Sequence, residues 1–255
     1  MKKKIDILCF FSIIFSAIGW FVENLSRMFA YGIIDNRFHI LPFIGVYGLI
    51  PFAFIALGNP NEFSFFGHKL IKKENKSTKI LSNIIYFLII CFAICFGEII
   101  VGTAYEKFAG IKLWDYSNKP FHFTSYTYLR SILGFGIGAY LMSKLFFFPL
   151  YNRLLKNEEK EMTTFRYLYT MLLIDAIFMM IRTIITKEKT IYWTINIPPN
   201  MNKILVAFLF IIIYVIIVSM FTIIPYVVNK KTNLKNSKQE VINIDAEDEE
   251  MIAKG

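Results

Sequence analysis

The sequence predicts an all-α, polytopic membrane bundle of about six spanning helices with both termini cytoplasmic. Three observations carry this prediction. The chain has 255 residues, of which 56% are hydrophobic and 27 are Phe, and its mean hydropathy is +0.50. Several apolar runs reach about 20 residues, long enough at about 1.5 Å per residue to cross a hydrocarbon core of about 30 Å. The basic residues collect in short segments between those runs, where the positive-inside rule places them. A net charge of +9 therefore marks membrane topology rather than a nucleic-acid partner.

The first span runs over Ile5–Ala30 behind Met1-Lys2-Lys3-Lys4. It imitates a secretory signal, but its apolar run is too long and no small-x-small site follows, so it reads as a retained helix. The second, Leu41–Leu57, is short and interrupted by Pro42, Gly45, Gly48 and Pro51, which predicts a kinked or re-entrant element. The third covers Ile80–Tyr105. The fourth covers Tyr126–Phe148, with Pro149 expected to close it. The fifth covers Phe165–Ile185 and the sixth Lys203–Val228. Residues 1–228 thus form a transmembrane domain. Residues 229–255, basic and then acidic through Asp245–Glu250, read as a solvated, disordered cytoplasmic tail. No internal repeat is visible.

Lys2–Lys4, Lys69, Lys72, Lys73, Lys76, Lys79, Lys144, Arg153, Lys156, Lys160, Arg166, Lys230, Lys231, Lys235 and Lys238 fall on one side. The other side has roughly half as many. This predicts a multi-pass plasma-membrane protein whose loops Glu106–Ser125 and Thr186–Asn202 face outward. Cys9, Cys91 and Cys95 all lie in apolar runs and read as packing residues. No zinc motif or nucleotide loop appears, so no cofactor or metal is expected.

The charges inside the spans are the informative ones. Glu23 lies 19 residues after Lys4, and Glu98 lies 19 after Lys79. Both are about 28 Å from the inner edge at helical rise. Arg130 enters the fourth span by about one turn from outside, and Arg182 lies 16 residues after Arg166. Four charges on four helices therefore share one outer layer, with Asp175 deeper. Asp175 and Arg182 share a face but stand about 10 Å apart along the axis, too far to pair. Such charges are costly and face a cavity or a partner. One reading is an outward-facing polar cavity lined by Glu23, Arg37, Glu98, Asp115, Arg130, Asp175 and Arg182. The other is a set of structural ion pairs, Glu23 with Arg27 along one helix and Glu98 with Arg130 across two. Gly19, Gly102, Gly134, Gly136 and Gly138 would permit close helix contacts. His39 and His122 read as interfacial polar residues.

Two stretches carry a family resemblance. The first holds Gly19-Trp20 and Glu23, then Asn36-Arg37, Pro42 and Tyr47-Gly48. The second holds Gly97-Glu98, Gly102, Trp114-Asp115-Tyr116-Ser117 and Pro120-Phe121. Together, over about residues 10–150, they resemble the bacterial membrane family called Putative ABC-transporter type IV. Two departures stand out: Phe38 follows Arg37 where the family has Gly, and Tyr126 stands where an Arg is expected, with Arg130 one turn later. The resemblance implies an ABC-transporter permease-like role with an ATPase subunit docked on the cytoplasmic loops Gly67–Lys79 and Tyr151–Arg166. The chain has no Gly-x4-Gly-Lys-Ser/Thr loop of its own for ATP.

Three functions stay open from the sequence. One is a transport subunit in the bilayer, in a homo- or hetero-oligomer. The second is an intramembrane enzyme acting on a lipid or envelope precursor at the outer leaflet, with carboxylates as acid or base and arginines holding an anion. The third is a scaffold or sensor.

Overall fold

The computed structural model describes residues 2–60, 64–65, 68–69, 75–156 and 163–254. Its helices are α1 (Lys2–Tyr31), α2 (Ile50–Leu57), α3 (Lys76–Ala109), α4 (Leu129–Leu141), α5 (Phe148–Lys156), α6 (Thr163–Thr186) and α7 (Lys203–Lys254). Short strands sit in the connections: β1 (Ile33–Asp35), β2 (Ser64–Phe65), β3 (His68–Lys69), β4 (His122–Thr124), β5 (Thr127–Tyr128) and β6 (Thr194–Asn196). They form three antiparallel pairs, β1 with β6, β2 with β3, and β4 with β5.

Among the described residues, five helical stretches are long and apolar enough to cross a membrane: Lys2–Tyr31, Lys76–Ala109, Leu129–Lys156, Thr163–Thr186 and Lys203–Val228. The second apolar run, read from the sequence as a kinked or re-entrant crossing, is broken and forms no helix of spanning length. Leu41–Ile44 is not helical, Gly45–Leu49 is a 3₁₀ turn, and α2 follows with Pro51 in its first turn, where a missing N–H costs nothing. The segment descends beside α1. The Ile44 N–H donates to the Ser16 carbonyl at 3.0 Å. Phe54 packs on Phe15 with ring centres 5.7 Å apart, and the Pro60 carbonyl accepts from Ser82 Oγ at 2.8 Å near the start of α3. Backbone without α-helical bonds is tolerated at membrane depth only when protein buries it, and Phe43 and Phe54 are both buried.

Two boundaries correct the sequence reading. Pro149 does not close the fourth span: the helix continues through it to Lys156. The six residues before α5, Met142–Phe147, are π-helical, and this wider turn relieves the clash a proline ring makes with the carbonyl one turn back. The third span begins earlier than expected, at Lys76. Asn75 Oδ1 accepts from Thr78 N at 2.8 Å while Thr78 Oγ1 accepts from Asn75 N at 3.0 Å, a reciprocal cap. Gly110 ends α3 in the left-handed region at φ 73°. Beyond Val228 the backbone of α7 stays helical to Lys254, through the stretch read as a solvated tail.

α1 is the hub of the bundle, packing against α6, α7 and the broken crossing. Its inner half is an aromatic core: Phe11 meets Phe147 at 4.9 Å and Phe10 meets Phe165 at 5.1 Å between ring centres. Buried Asp6 is paired with Arg166 at 2.5 Å, so the inner end of α6 is pinned to α1. Tyr214 on α7 donates toward two carbonyls, Ala17 at 2.9 Å and Pro42 at 2.7 Å, tying α7 to α1 and to the broken crossing. The opposite end of the bundle, which the distribution of lysines assigns outward, carries the β1–β6 and β4–β5 pairs and the polar residues.

Candidate functional site

The outer end of α1 is built around Glu23. Gly19 lies one turn earlier, where a methyl group would come within 2.3 Å of the Tyr47 ring. The absence of that methyl lets the ring lie flat on α1, so the Tyr47 hydroxyl donates to Glu23 Oε1 at 2.9 Å. Gly48 is equally constrained, since a methyl there would meet the Tyr169 ring at 2.3 Å. The Tyr47-Gly48 pair of the sequence motif is therefore a wedge between α1 and α6. The other Glu23 oxygen accepts from Arg37, Nε at 2.8 Å and Nη2 as well. The two side chains are 25% and 16% exposed, so the pair is largely withdrawn from water without being sealed.

Arg37 is aimed there by a strained turn. Arg37 and Phe38 both adopt left-handed backbone, with φ of 49° and 63°. This region suits glycine and costs other residues about 1–2 kcal/mol. It gives a physical reason for the Gly that the family resemblance expects at position 38. Phe38 offsets part of the cost by lying 5.3 Å from the Arg37 guanidinium carbon.

The turn is held by Asp35, which the sequence reading did not single out. Buried Asp35 pairs with Arg27 at 2.8 Å and lies 3.9 Å from Arg37. Its Oδ1 accepts the Arg37 N–H at 2.9 Å, and its own N–H donates to Asn24 Oδ1 at 2.9 Å. Thus Arg27 pairs with Asp35, and Glu23 takes Arg37 instead of its helical neighbour. Asn36 extends the lattice: its Oδ1 accepts from Tyr192 N at 3.1 Å and its carbonyl from Trp20 Nε1 at 3.4 Å. Trp20 stacks on Tyr214 at 5.0 Å, so the Gly-Trp-x-x-Glu motif serves both the polar end and the core. The signal that would have found these residues is the polar run Asp35-Asn36-Arg37 and the Glu23-Asn24 pair, each bordered by apolar residues.

Asp175 on α6 reaches the same turn from below. It accepts from Ile40 N at 3.1 Å and Leu41 N at 3.5 Å, and His39 Nδ1 lies 3.4 Å away. It caps the non-helical start of the broken crossing. Arg182 does not join it: its Nη1 donates to the Tyr192 hydroxyl at 2.6 Å.

A second group lies on α3 and the loop above it. Glu98 accepts from Thr127 Oγ1, and from Ser131 Oγ at 3.1 Å, rather than pairing with Arg130. Asp115 is exposed and local. It accepts from Ser117 Oγ at 2.6 Å and Ser117 N at 2.8 Å, and lies 3.2 Å from Lys112. These bonds, led by the Ser117 hydroxyl, hold its carboxyl down at about 2. Trp114 Nε1 donates to the Tyr126 carbonyl at 2.7 Å, closing the loop. Tyr116 is pushed up to about 12 by burial, then by Glu98, Tyr128 and Glu23. Lys189, lowered by burial and then by Arg37 and Arg27, shares the outer layer with the arginines. The structure thus joins Glu23 with Arg37, and Tyr116 feels the charge of both Glu23 and Glu98. Arg130, Arg182 and Asp115 sit apart from that pair.

A parallel then emerges between the two groups that no repeat in the letters reveals. Gly102 on α3 sits against the Tyr126 ring, where a methyl group would meet it at 2.3 Å. The Tyr126 hydroxyl donates to Glu106, one turn beyond Gly102. Lys112 lies 4.0 Å from Glu106 and 3.2 Å from Asp115. Glycine, glutamate, tyrosine, cation and aspartate occur in the same relation as Gly19, Glu23, Tyr47, Arg37 and Asp35. In both, the aspartate accepts the N–H two residues on.

A helical membrane protein with a polar network at one end of its bundle is the class that this architecture defines. The chain belongs to the family described as Putative ABC-transporter type IV, which matches residues 9–186. It is thereby a membrane protein of ABC-transporter type. The matched span contains Glu23, Asp35, Arg37, Glu98, Asp115, Arg130, Asp175 and Arg182. No curated protein and no solved structure matches the chain.

Proposed function

We propose that the chain is the membrane-spanning component of an ATP-driven transport system of the plasma membrane, and that the Glu23–Arg37–Tyr47 network lines its outward-facing polar entry. The observation that carries this reading is the strained turn at Arg37 and Phe38. A chain that needed only a structural ion pair at the end of α1 already has Arg27 one turn from Glu23. Instead, left-handed backbone at two non-glycine residues points Arg37 at Glu23, and strain of this kind collects at ligand clamps and switches. The pair keeps partial exposure, so a polar or anionic solute can reach the guanidinium by competing with Glu23.

ATP is the business of a partner in this reading. The docking surface is the lysine-rich face, on the loops before α3 and before α6. Residues 67, 70–74 and 157–162 of those loops lie outside the described residues. Arg166 and Asp6 pin the start of α6 to α1, so a push on the loop before α6 travels along a helix that carries the Asp175 cap midway, under the Arg37 turn.

The experiment pairs two measurements on the full chain. Gentle detergent pull-down is expected to recover a cytoplasmic ATPase with both the parent chain and Arg37→Gln. Transport-dependent growth of a deletion strain is expected to be restored by the parent and lost with Arg37→Gln. Repeated recovery of the chain without any ATPase would overturn the transport reading. If Glu98→Gln then abolished the phenotype while Arg37→Gln left it intact, the outer-leaflet enzyme would replace it.

A further inference from the structure

Away from the Glu23 network, a cleft of about 620 Å³ opens where the Lys119–Tyr128 loop meets the outer end of α4. Its walls are Phe121, Leu129 and Leu133, and its mouth carries Lys119 and Arg130. Its floor is Gly134, where a methyl group would meet nothing within 4 Å. The mouth is built, not a gap between floppy ends. Phe121 is held in left-handed backbone at φ 56°, and its carbonyl accepts the Leu129 N–H at 3.0 Å, fastening the loop onto the first turn of α4. The Lys119 N–H donates to the Tyr116 carbonyl at 2.8 Å.

Arg130, like Arg182, is an outer-layer arginine outside the Glu23–Arg37 pair. Among the described residues, no carboxylate pairs with Arg130 or with Lys119. Glu98, one helix away, is taken by Thr127 and Ser131. Two exposed cations therefore stand at the start of α4, beside an apolar trough that runs along a helix long and apolar enough to cross a membrane. A small anion would find no use for the trough, and a neutral hydrocarbon none for the cations. An anionic phospholipid satisfies both: its phosphate meets Arg130 and Lys119, and its acyl chain lies along Leu133 and Gly134. We propose that this cleft is a binding site for an anionic phospholipid of the outer leaflet, distinct from the Glu23 network.

The test is native mass spectrometry of the purified full chain released from micelles containing equal amounts of phosphatidylglycerol and phosphatidylcholine. The parent is expected to retain phosphatidylglycerol about ten-fold or more over phosphatidylcholine, as two interfacial cations would give. The double variant Lys119→Gln, Arg130→Gln is expected to bring the two lipids to parity. Gly134→Leu puts a side chain into the trough without changing charge, its Cβ meeting nothing within 4 Å, and is expected to lower phosphatidylglycerol retention as well. Equal retention of both lipids by the parent would overturn the proposal. So would a Gly134→Leu chain that keeps phosphatidylglycerol as the parent does, since that would reduce the effect to surface charge. Displacement of the bound lipid by inorganic phosphate alone would also overturn it, because the headgroup would then be the whole ligand.

Discussion

The clusters at Glu23 and Glu106 use one plan in two environments. Each sets a tyrosine ring on a glycine, aims its hydroxyl at the glutamate one turn on, and adds a cation and a turn-forming aspartate. They differ in burial and in the cation. At Glu23 the cation is Arg37, whose fork donates through two nitrogens, and the aspartate is buried. At Glu106 the cation is Lys112, a single ammonium 4.0 Å off, and the two side chains are 47% and 38% exposed. Water screens the second pair and leaves it little energetic weight, while the first pair is withdrawn and each partner needs the other. The same geometry therefore serves as a rigid network on α1 and as a surface latch on α3.

The largest expected effect breaks that contrast at its cation. Arg37→Gln strands Glu23 with only the Tyr47 hydroxyl and should cost about 3 kcal/mol, because a mostly buried carboxylate loses its charge partner. Lys112→Gln should leave the midpoint of thermal unfolding in detergent where it was. Equal losses from the two substitutions would mean that burial does not separate the clusters.

Next in size is the ring–glycine contact, where the clusters should agree. Gly19→Ala and Gly102→Ala each push a methyl group to within 2.3 Å of a tyrosine ring. Each should cost about 1–3 kcal/mol by overpacking, measured by the same unfolding assay. A neutral Gly102→Ala beside a costly Gly19→Ala would show that the Tyr126 ring is free to move aside.

Phe38→Gly should act in the other direction. Relief of the left-handed backbone should gain about 1 kcal/mol, less what the Arg37 contact with the ring contributes. Loss of stability on this change would place the main role of Phe38 in that contact. The smallest effect is at Asp115. Its pKa is depressed in the folded chain, so its bonds contribute above the ordinary carboxylate range and are lost as pH falls from about 4 toward 2. In Ser117→Ala the carboxyl should titrate closer to the usual value, followed by side-chain carboxyl NMR. An unchanged titration would assign the shift to the Ser117 N–H and Lys112.

Much of this was legible in the letters because lipid imposes strict rules. The five long spans follow from apolar length and rise alone. Gly19, Gly102 and Gly136, marked as close-contact positions, are just that, whereas an added methyl group at Gly134 or Gly138 would meet nothing within 4 Å, so those two are not helix contacts. Partner choice was not legible. Glu23 and Arg27 have the right helical spacing to pair, yet β1 carries Asp35 under Arg27 and leaves Glu23 to an arginine from a strained turn. Such a turn leaves no mark in the sequence when Phe occupies the position that favours glycine. The doubled cluster was hidden for a related reason: spacing is conserved only between glycine and glutamate, while the loop members sit at different distances along the chain. Pro149 misled because a π-helical stretch absorbs it, and nothing in Met142–Phe147 announces that stretch.

Double-mutant cycles on the two clusters probe the contrast most directly. One pairs Glu23→Gln with Arg37→Gln and the other Glu106→Gln with Lys112→Gln, all read by unfolding in the same detergent. The predicted result is a coupling of about 2 kcal/mol at Glu23–Arg37 and none beyond error at Glu106–Lys112. Equal couplings, or a larger one on α3, would contradict the assignment of the Glu23 network as the built site.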